Sequence, residues 1–224
     1  MRSSWARRSP GMGIFYRIVL FVSWLFAKVL YRHRVYGTDR YYVGGAILAA
    51  NHTSFLDPPL ISISWPEEVH FLARQTLFDV PVLGTAISAL NTHPVRGGAG
   101  DAALFKYVIK LLKEKKKVIL FPEGTRSDGE EMGPIKPGLS LLIEKADAAI
   151  IPAYIHGAYA IWNRKKKFPK LWGKTACVFG SPIFWHQFGH LPRKEAHEAL
   201  TNALAHAISA LRSWYLAGAK GSPP

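Results

Sequence analysis

Five short apolar runs of strand length constrain this chain more than any other feature. They are Ala46–Ala50, closed by Asn51, and residues 69–73, 118–121, 149–154 and 175–180. Their lengths suit strands, and the run at 118–121 is built of β-branched and aliphatic side chains stopped by Pro122. Segments of helical spacing lie between and after them. Residues 60–65 restart the chain after Pro58 and Pro59. Residues 102–112 carry Leu104, Val108, Leu111 and Leu112 in step, and Leu139–Ala146 reads as a third helix. Residues 193–217 place Leu200, Leu204, Leu211 and Tyr215 on one stripe. Pro152 is expected to disturb the ladder of its strand. The lysines at 113–117 are expected as solvated charges at a helix carboxyl end. Strands alternating with helices predict an α/β fold, a single domain with a central mostly parallel or mixed sheet flanked by helices. No internal repeat or low-complexity linker divides the chain. The expected organisation is a membrane-associating amino-terminal segment over 1–35, the α/β domain over 36–217, and a frayed tail over 218–224.

Arg2, Arg7 and Arg8 precede residues 11–27, whose only charge is Arg17, and Lys28, Arg32 and Arg34 follow. The uncharged run at 18–27 falls short of the roughly 20 apolar residues that cross a bilayer. Lys28-Val29-Leu30-Tyr31 is a poor signal-peptidase site. Phe15, Tyr16, Phe21, Trp24 and Phe26, between basic flanks, fit a helix half-buried in the bilayer interface. A core helix of the domain is the alternative reading.

Charge points to the class of partner. With 29 Lys+Arg against 15 Asp+Glu the net charge is +14, which calls for a nucleic acid, an acidic membrane surface or a phosphorylated substrate. A basic stretch, Arg164 to Lys167 with Lys170 and Lys174, is interleaved with Trp162, Phe168 and Trp172. It leaves RNA and anionic lipid headgroups both open. Cys177 is the single cysteine, so an intramolecular disulfide and a multi-cysteine zinc site are excluded. It is expected as a buried strand residue. The histidines show no tight metal spacing, and GxxxxGK[ST] and GxGxxG do not occur. No metal and no cofactor are therefore expected.

Three constellations carry chemistry. In Asn51-His52-Thr53-Ser54-Phe55-Leu56-Asp57-Pro58 a histidine leaves an apolar strand and a carboxylate follows across a turn. If the turn folds back, Asp57 fixes the imidazole tautomer and raises the basicity of the other nitrogen, giving a general base for a hydroxyl. A surface histidine near a helix-capping aspartate is the plain alternative. In Phe121-Pro122-Glu123-Gly124-Thr125-Arg126-Ser127 a strand ends where ligands bind in open α/β sheets. Gly124 permits a tight turn, Arg126 offers a fork for phosphate oxygens, Thr125 and Ser127 are donors, and Glu123 can order arginines or bind a hydroxyl. Arg74 follows the strand-like residues 69–73, Arg96 follows residues 91–95 and precedes Gly97-Gly98, and both can turn toward the same pocket.

The order of these blocks resembles the glycerolipid acyltransferases, especially those acting on 1-acylglycerol-3-phosphate. Asn51-His52 through Asp57 matches the family's NHxxxxD block, and Phe121 through Ser127 its FPEGTRS block without a departure. Arg96 matches the arginine closing an intervening block. Arg74 stands where the family often has lysine, and Gln75-Thr76 replaces an acid-leucine pair. Ile135-Lys136-Pro137-Gly138-Leu139 resembles an FKxGxx stretch with a proline intruding, and Ile150-Ile151-Pro152-Ala153 the last block.

The resemblance implies an O-acyltransferase working in phospholipid biosynthesis. It implies His52 and Asp57 as catalytic residues, and Arg74, Arg96, Glu123, Gly124, Thr125 and Arg126 as substrate-binding ones. The implied partners are lysophosphatidic acid, acyl-CoA or acyl carrier protein, and an anionic membrane surface, with no nucleic acid. The implied product is phosphatidic acid, and the implied location a membrane, monotopic or peripheral, facing the cytoplasm. Another lysophospholipid or glycerol-3-phosphate is an alternative acceptor, and a non-enzymatic binder of anionic lipid or RNA a further alternative. A hydrolase using Ser54 or Ser127 lacks a GxSxG elbow.

Overall fold

A computed structural model describes residues 13–81, 83–95, 102–136 and 138–224. The strands are β1 (Arg34–Tyr36), β2 (Ala46–Ala50), β3 (Val69–Arg74), β4 (Thr92–Val95), β5 (Lys117–Leu120), β6 (Ala149–His156), β7 (Ala176–Phe179) and β8 (Ile183–Phe184). The helices are α1 (Ile14–Tyr31), α2 (Asp57–Ser64), α3 (Leu83–Ser88), α4 (Ala102–Lys113), α5 (Leu139–Ala146), α6 (Ala158–Trp162) and α7 (Arg193–Leu216). One mixed sheet runs β1-β7-β6-β2-β5-β3-β4, with β8 pairing to β6. β2 to β6 run parallel, and β7 and β8 lie antiparallel to β6.

All five residues of β2 are buried because helices cover both faces of the sheet. Successive side chains alternate between the faces. Leu48 and Ala50 join Ile61, Trp65 and Ile151 under α1 and α2, whereas Ile47 and Ala49 join Val118, Ile150 and Leu204 under α4, α5 and α7. The expected α/β sheet flanked by helices is therefore what the chain forms. The carboxyl ends of β2, β5, β3 and β6 share one rim. The first residues of β1 and β7 reach the same rim, since His156 is in register with Ala176 and Ala176 with Arg34.

The helix α1 is longer than the uncharged run at 18–27. It has 18 residues and a mean hydropathy of 1.7, enough by length and composition to cross a membrane. Yet Tyr16, Leu20, Ala27 and Tyr31 are buried against the domain, where the helix packs on α2. Ile14, Phe15, Ile18, Phe21, Val22, Leu25, Phe26 and Val29 form an exposed row on the opposite side. Core packing thus accounts for one half of the helix, and the other half is apolar and exposed.

Three local expectations are corrected. Lys117 is not a solvated charge: it opens β5, is 1% exposed, and donates to Glu67 and to the Gly44 carbonyl, both at 2.5 Å. Pro152 does not break its ladder. The pairing of β6 with β2 runs unbroken past it, and its carbonyl accepts from Gly180 where the neighbour changes from β8 to β7. There its missing N–H has no strand partner to lose. Nor do residues 218–224 fray: Pro223 is buried and its carbonyl accepts from Arg40, while Trp214 donates to the Lys220 carbonyl.

Candidate active site

The turn after β2 is organised around one buried oxygen. Asp57, the first residue of α2, is 0% exposed. Its Oδ2 accepts the backbone N–H groups of Thr53 (2.6 Å) and Ser54 (2.7 Å) and lies 2.9 Å from His52 Nδ1. A carboxylate oxygen accepts only, so the geometry requires Nδ1–H and leaves Nε2 as the free, basic nitrogen. Burial pushes the Asp57 carboxyl above its usual range, while the His52 ring and the two backbone donors pull it back. The imidazole also stacks on Phe121, with centroids 3.9 Å apart and planes 15° from parallel. Its ring orientation is therefore fixed from two directions. Asn51 anchors the start of the turn, its side-chain amide bracketing both the N–H (2.7 Å) and carbonyl (3.1 Å) of Ile155 in β6.

The turn after β5 meets this one through backbone. Ser127 N–H donates to the His52 carbonyl at 2.8 Å. Glu123 is buried and accepts the His52 N–H (2.6 Å), the Gly133 N–H (2.8 Å) and the Ser127 hydroxyl. Its oxygens are thus engaged with the loop itself, and among the described residues it makes no ion pair with an arginine. Gly124 adopts φ +70, a conformation that side chains rarely take, and the Lys136 ammonium lies over it. Thr125 is exposed beside it.

Arg126 carries the most telling electrostatics. Its guanidinium lies 3.6 Å from the centre of the Phe55 ring. Nη1 is buried with no hydrogen-bond partner among the described residues. Burial first, then the nearby charges of Arg74 and Arg164, push its pKa down, while Asp57 pulls it up. A buried guanidinium nitrogen without a partner among the described residues, near like charges, has the chemistry to donate to an anion. Arg164 pins the turn by donating to Asp128 (2.6 Å) and to the Arg126 carbonyl (3.4 Å).

Of the residues singled out from sequence, His52, Asp57, Glu123, Gly124, Thr125 and Arg126 come together, and Arg74 ends β3 close enough to be felt by Arg126. Arg96 and Pro137 lie outside the described residues. Phe55, Phe121, Asn51 and Lys136 are additional parts of the site. The apolar pair carries no chemical signature in sequence beyond its place inside the two motifs. The two serines are occupied elsewhere: Ser54 donates to the Trp162 carbonyl (2.7 Å) and Ser127 to Glu123, so neither hydroxyl is bonded to His52. Cys177 is fully buried with its thiol pushed up to about 12, far from a nucleophile's range. Among the described residues no group of His, Cys, Asp and Glu could hold a metal ion.

The chain is similar to known proteins over most of its length. The family model described as Acyltransferase matches residues 32–156. The chain is 32% identical over 171 residues to the 1-acyl-sn-glycerol-3-phosphate acyltransferase of Bacillus subtilis (strain 168), covering 75% of this chain and 82% of that one. It is 29% identical to a chloroplastic 1-acyl-sn-glycerol-3-phosphate acyltransferase of Brassica napus, BAT2, over 62% of this chain and 40% of that one. The crystal structure of the 1-acyl-sn-glycerophosphate (LPA) acyltransferase PlsC from Thermotoga maritima superposes with a TM-score of 0.69 at 23% identity, covering 88% of this chain and 81% of that one, a likeness of fold.

Proposed function

Because this chain belongs to the acyltransferase family, we propose that it transfers a fatty acyl chain to the sn-2 hydroxyl of 1-acylglycerol-3-phosphate, yielding phosphatidic acid, from acyl-CoA or acyl carrier protein. It is an O-acyltransferase, so the reacting group is a hydroxyl, and a hydroxyl needs a base. The observation that carries the reading is the His52–Asp57 pair with Nε2 left free, on the same rim as the unpaired Arg126 Nη1.

His52 Nε2 takes the proton of the acceptor hydroxyl as its oxygen attacks the thioester carbonyl. The C–S bond breaks, and the imidazolium returns the proton to the departing thiolate. Asp57 holds the tautomer and offsets the transient positive charge. Arg126, Arg74 and Arg96 hold the acceptor phosphate, which fixes the hydroxyl against His52. Lys136, Gly124 and Thr125 line that end of the site. Glu123 acts as a positioning residue through the backbone of His52. The exposed row of α1 seats the enzyme in one leaflet of a membrane, where both acyl chains reside. A helix with one face packed on its own domain lies along a bilayer instead of crossing it.

The test is mass spectrometry of lipids formed by the purified protein with lysophosphatidate, lysophosphatidylglycerol or glycerol-3-phosphate as acceptor and each donor in turn. Phosphatidate formed from lysophosphatidate at the highest kcat/KM is the expected result. Thioester turnover equally fast without any acceptor overturns the reading, because a transferase requires one.

A further inference from the structure

Residues 163–175 join α6 to β7 and reach the rim on which His52 stands. They carry Arg164, Lys165, Lys166, Lys167, Lys170 and Lys174 and no acid. They also expose three large apolar side chains: Phe168 (72%), Leu171 (69%) and Trp172 (67%). The backbone that presents these side chains is tied down. Lys170 N–H donates to the Ile161 carbonyl, Gly173 N–H to the Leu30 carbonyl and Thr175 N–H to the Tyr31 carbonyl, at 2.9–3.1 Å. Tyr31 returns a bond to the Lys170 carbonyl at 3.2 Å, and the Trp162 indole donates to the Lys166 carbonyl at 3.2 Å. The loop is thus fastened to the last turn of α1, where Phe26 and Val29 continue the exposed row. The fixed backbone thus leaves Leu171 and Trp172 uncovered by the chain itself, an apolar patch suited to contact with another phase.

Beside this junction is a surface pocket of about 330 Å³ lined by Arg32, Arg34, Lys174, Thr175 and Tyr215. None of its three cations has a carboxylate within ion-pair distance among the described residues, and neither do Lys165, Lys166, Lys167, Lys170 or the nearby Lys28. Lys28 instead donates to the His33 carbonyl at 2.7 Å. Cations without a carboxylate partner among the described residues surround a hollow and are flanked by apolar side chains continuous with an apolar helix face; this matches a phospholipid, with phosphate in the hollow and acyl chains against the aromatics. Nucleic acid fits less well, since much of the surface is aliphatic: Ile14, Ile18, Val22, Leu25, Val29 and Leu171 are exposed and offer no stacking surface for bases.

We propose that residues 165–174, with the pocket of Arg32, Arg34 and Lys174, form a second membrane-docking element that seats the headgroup of an acidic phospholipid. This rests on the proposed seating of α1 in a membrane, and adds to it a selectivity for anionic lipid at a site separate from the acceptor pocket. The two elements divide the work. The α1 row supplies lipid-independent apolar contact, and the pocket and loop supply the preference for negative charge and orient the rim toward the bilayer.

The test uses the full chain and vesicle flotation, with vesicles of phosphatidylcholine alone or mixed with phosphatidylglycerol. One variant combines Arg32→Asn, Arg34→Gln and Lys174→Gln; asparagine is chosen because Arg32 has φ 43, which asparagine tolerates. A second combines Leu171→Ser and Trp172→Ser. Neither set touches the site assigned to catalysis, so activity on detergent-dispersed acceptor and thermal stability serve as folding controls. Wild type is expected to bind both vesicles, with a clear preference for the anionic ones. The charge variant is expected to keep its binding to neutral vesicles and lose the preference, by about fivefold per cation and on the order of 100-fold for three. The apolar variant should weaken on both. Wild-type protein indifferent to phosphatidylglycerol, or a charge variant that keeps the preference, overturns this proposal alone. Failure of wild type to float with either vesicle overturns the seating of α1 as well. An RNA oligomer bound by wild type and lost in the charge variant, with lipid preference intact, would assign the loop to nucleic acid.

Discussion

Replacing Asp57 by asparagine separates two roles that one carboxylate combines. Oδ2 receives the Thr53 and Ser54 N–H groups as well as His52 Nδ1, whereas Oδ1 is buried without a partner among the described residues. Two backbone donors demand an oxygen at the Oδ2 position, so the asparagine amide settles with its oxygen there and its NH₂ in the place of Oδ1. The His52 Nδ1–H then keeps an acceptor, and Nε2 stays the basic nitrogen. Only the charge is lost. A hydrogen bond to a charged group contributes about 1.5–3 kcal/mol against about 0.5–1.5 kcal/mol for a neutral one. The difference, about 1–2 kcal/mol on the developing imidazolium, corresponds to a loss of roughly 5- to 30-fold in kcat. Asp57→Ala removes the orienting acceptor entirely and should cost on the order of 10²- to 10⁴-fold, the scale of losing the base itself. The stability of Asp57→Asn should stay within about 2 kcal/mol of wild type, since one unsatisfied buried group replaces another. Single-turnover thioester cleavage in both variants, with urea unfolding alongside, decides the matter. Equal and severe losses would refute the argument that the Thr53 and Ser54 amides dictate the tautomer.

Arg126→Ala should raise the KM for lysophosphatidate roughly 10- to 150-fold, the equivalent of about 1.5–3 kcal/mol for a charged hydrogen bond, with a smaller change in kcat. Steady-state kinetics at saturating donor check it, and an unchanged KM contradicts a phosphate clamp. Acid should destabilise the fold through His33, which is buried between Thr175 Oγ1 (2.8 Å) and Ser64 Oγ (2.9 Å) with its pKa lowered to about 3 by burial first and then by Lys28. The folded value lies below the unfolded 6.5, so the unfolded chain takes up the proton first. The associated stability is complete above about pH 6.5 and is lost as pH falls toward 3, by about 2 kcal/mol at pH 5. Urea midpoints at pH 7 and pH 5 should therefore separate less in His33→Gln than in wild type, and equal separations contradict the assignment.

The parts of the fold visible in sequence are those whose two faces are buried. β2, β5 and β6 announce themselves as apolar runs because helices cover both sides, and α5 and α7 through one covered stripe. β1, β4 and β8 are short edge pairings of residues such as Arg34, Thr92 and His93, whose strand character comes from a neighbour far along the chain. The burial of Lys117 depends on Glu67, fifty residues earlier, and no local pattern reports it. The site was legible to the extent that its chemistry is local. His52 and Asp57 share one turn, and Arg126 ends a strand. The inward commitment of Glu123 arises from contacts between two turns brought together by the β2–β5 ladder, and that register is a property of the sheet. For α1, composition shows an apolar surface all round but not which half the domain covers.

His52 is the proposed base that activates the acceptor hydroxyl. The most direct measurement is the rate of acyl transfer by His52→Ala, made on protein whose unfolding transition and lysophosphatidate affinity match wild type. A loss on the order of 10²- to 10⁴-fold with both controls intact is the predicted result. Transfer at the wild-type rate by the folded variant contradicts it.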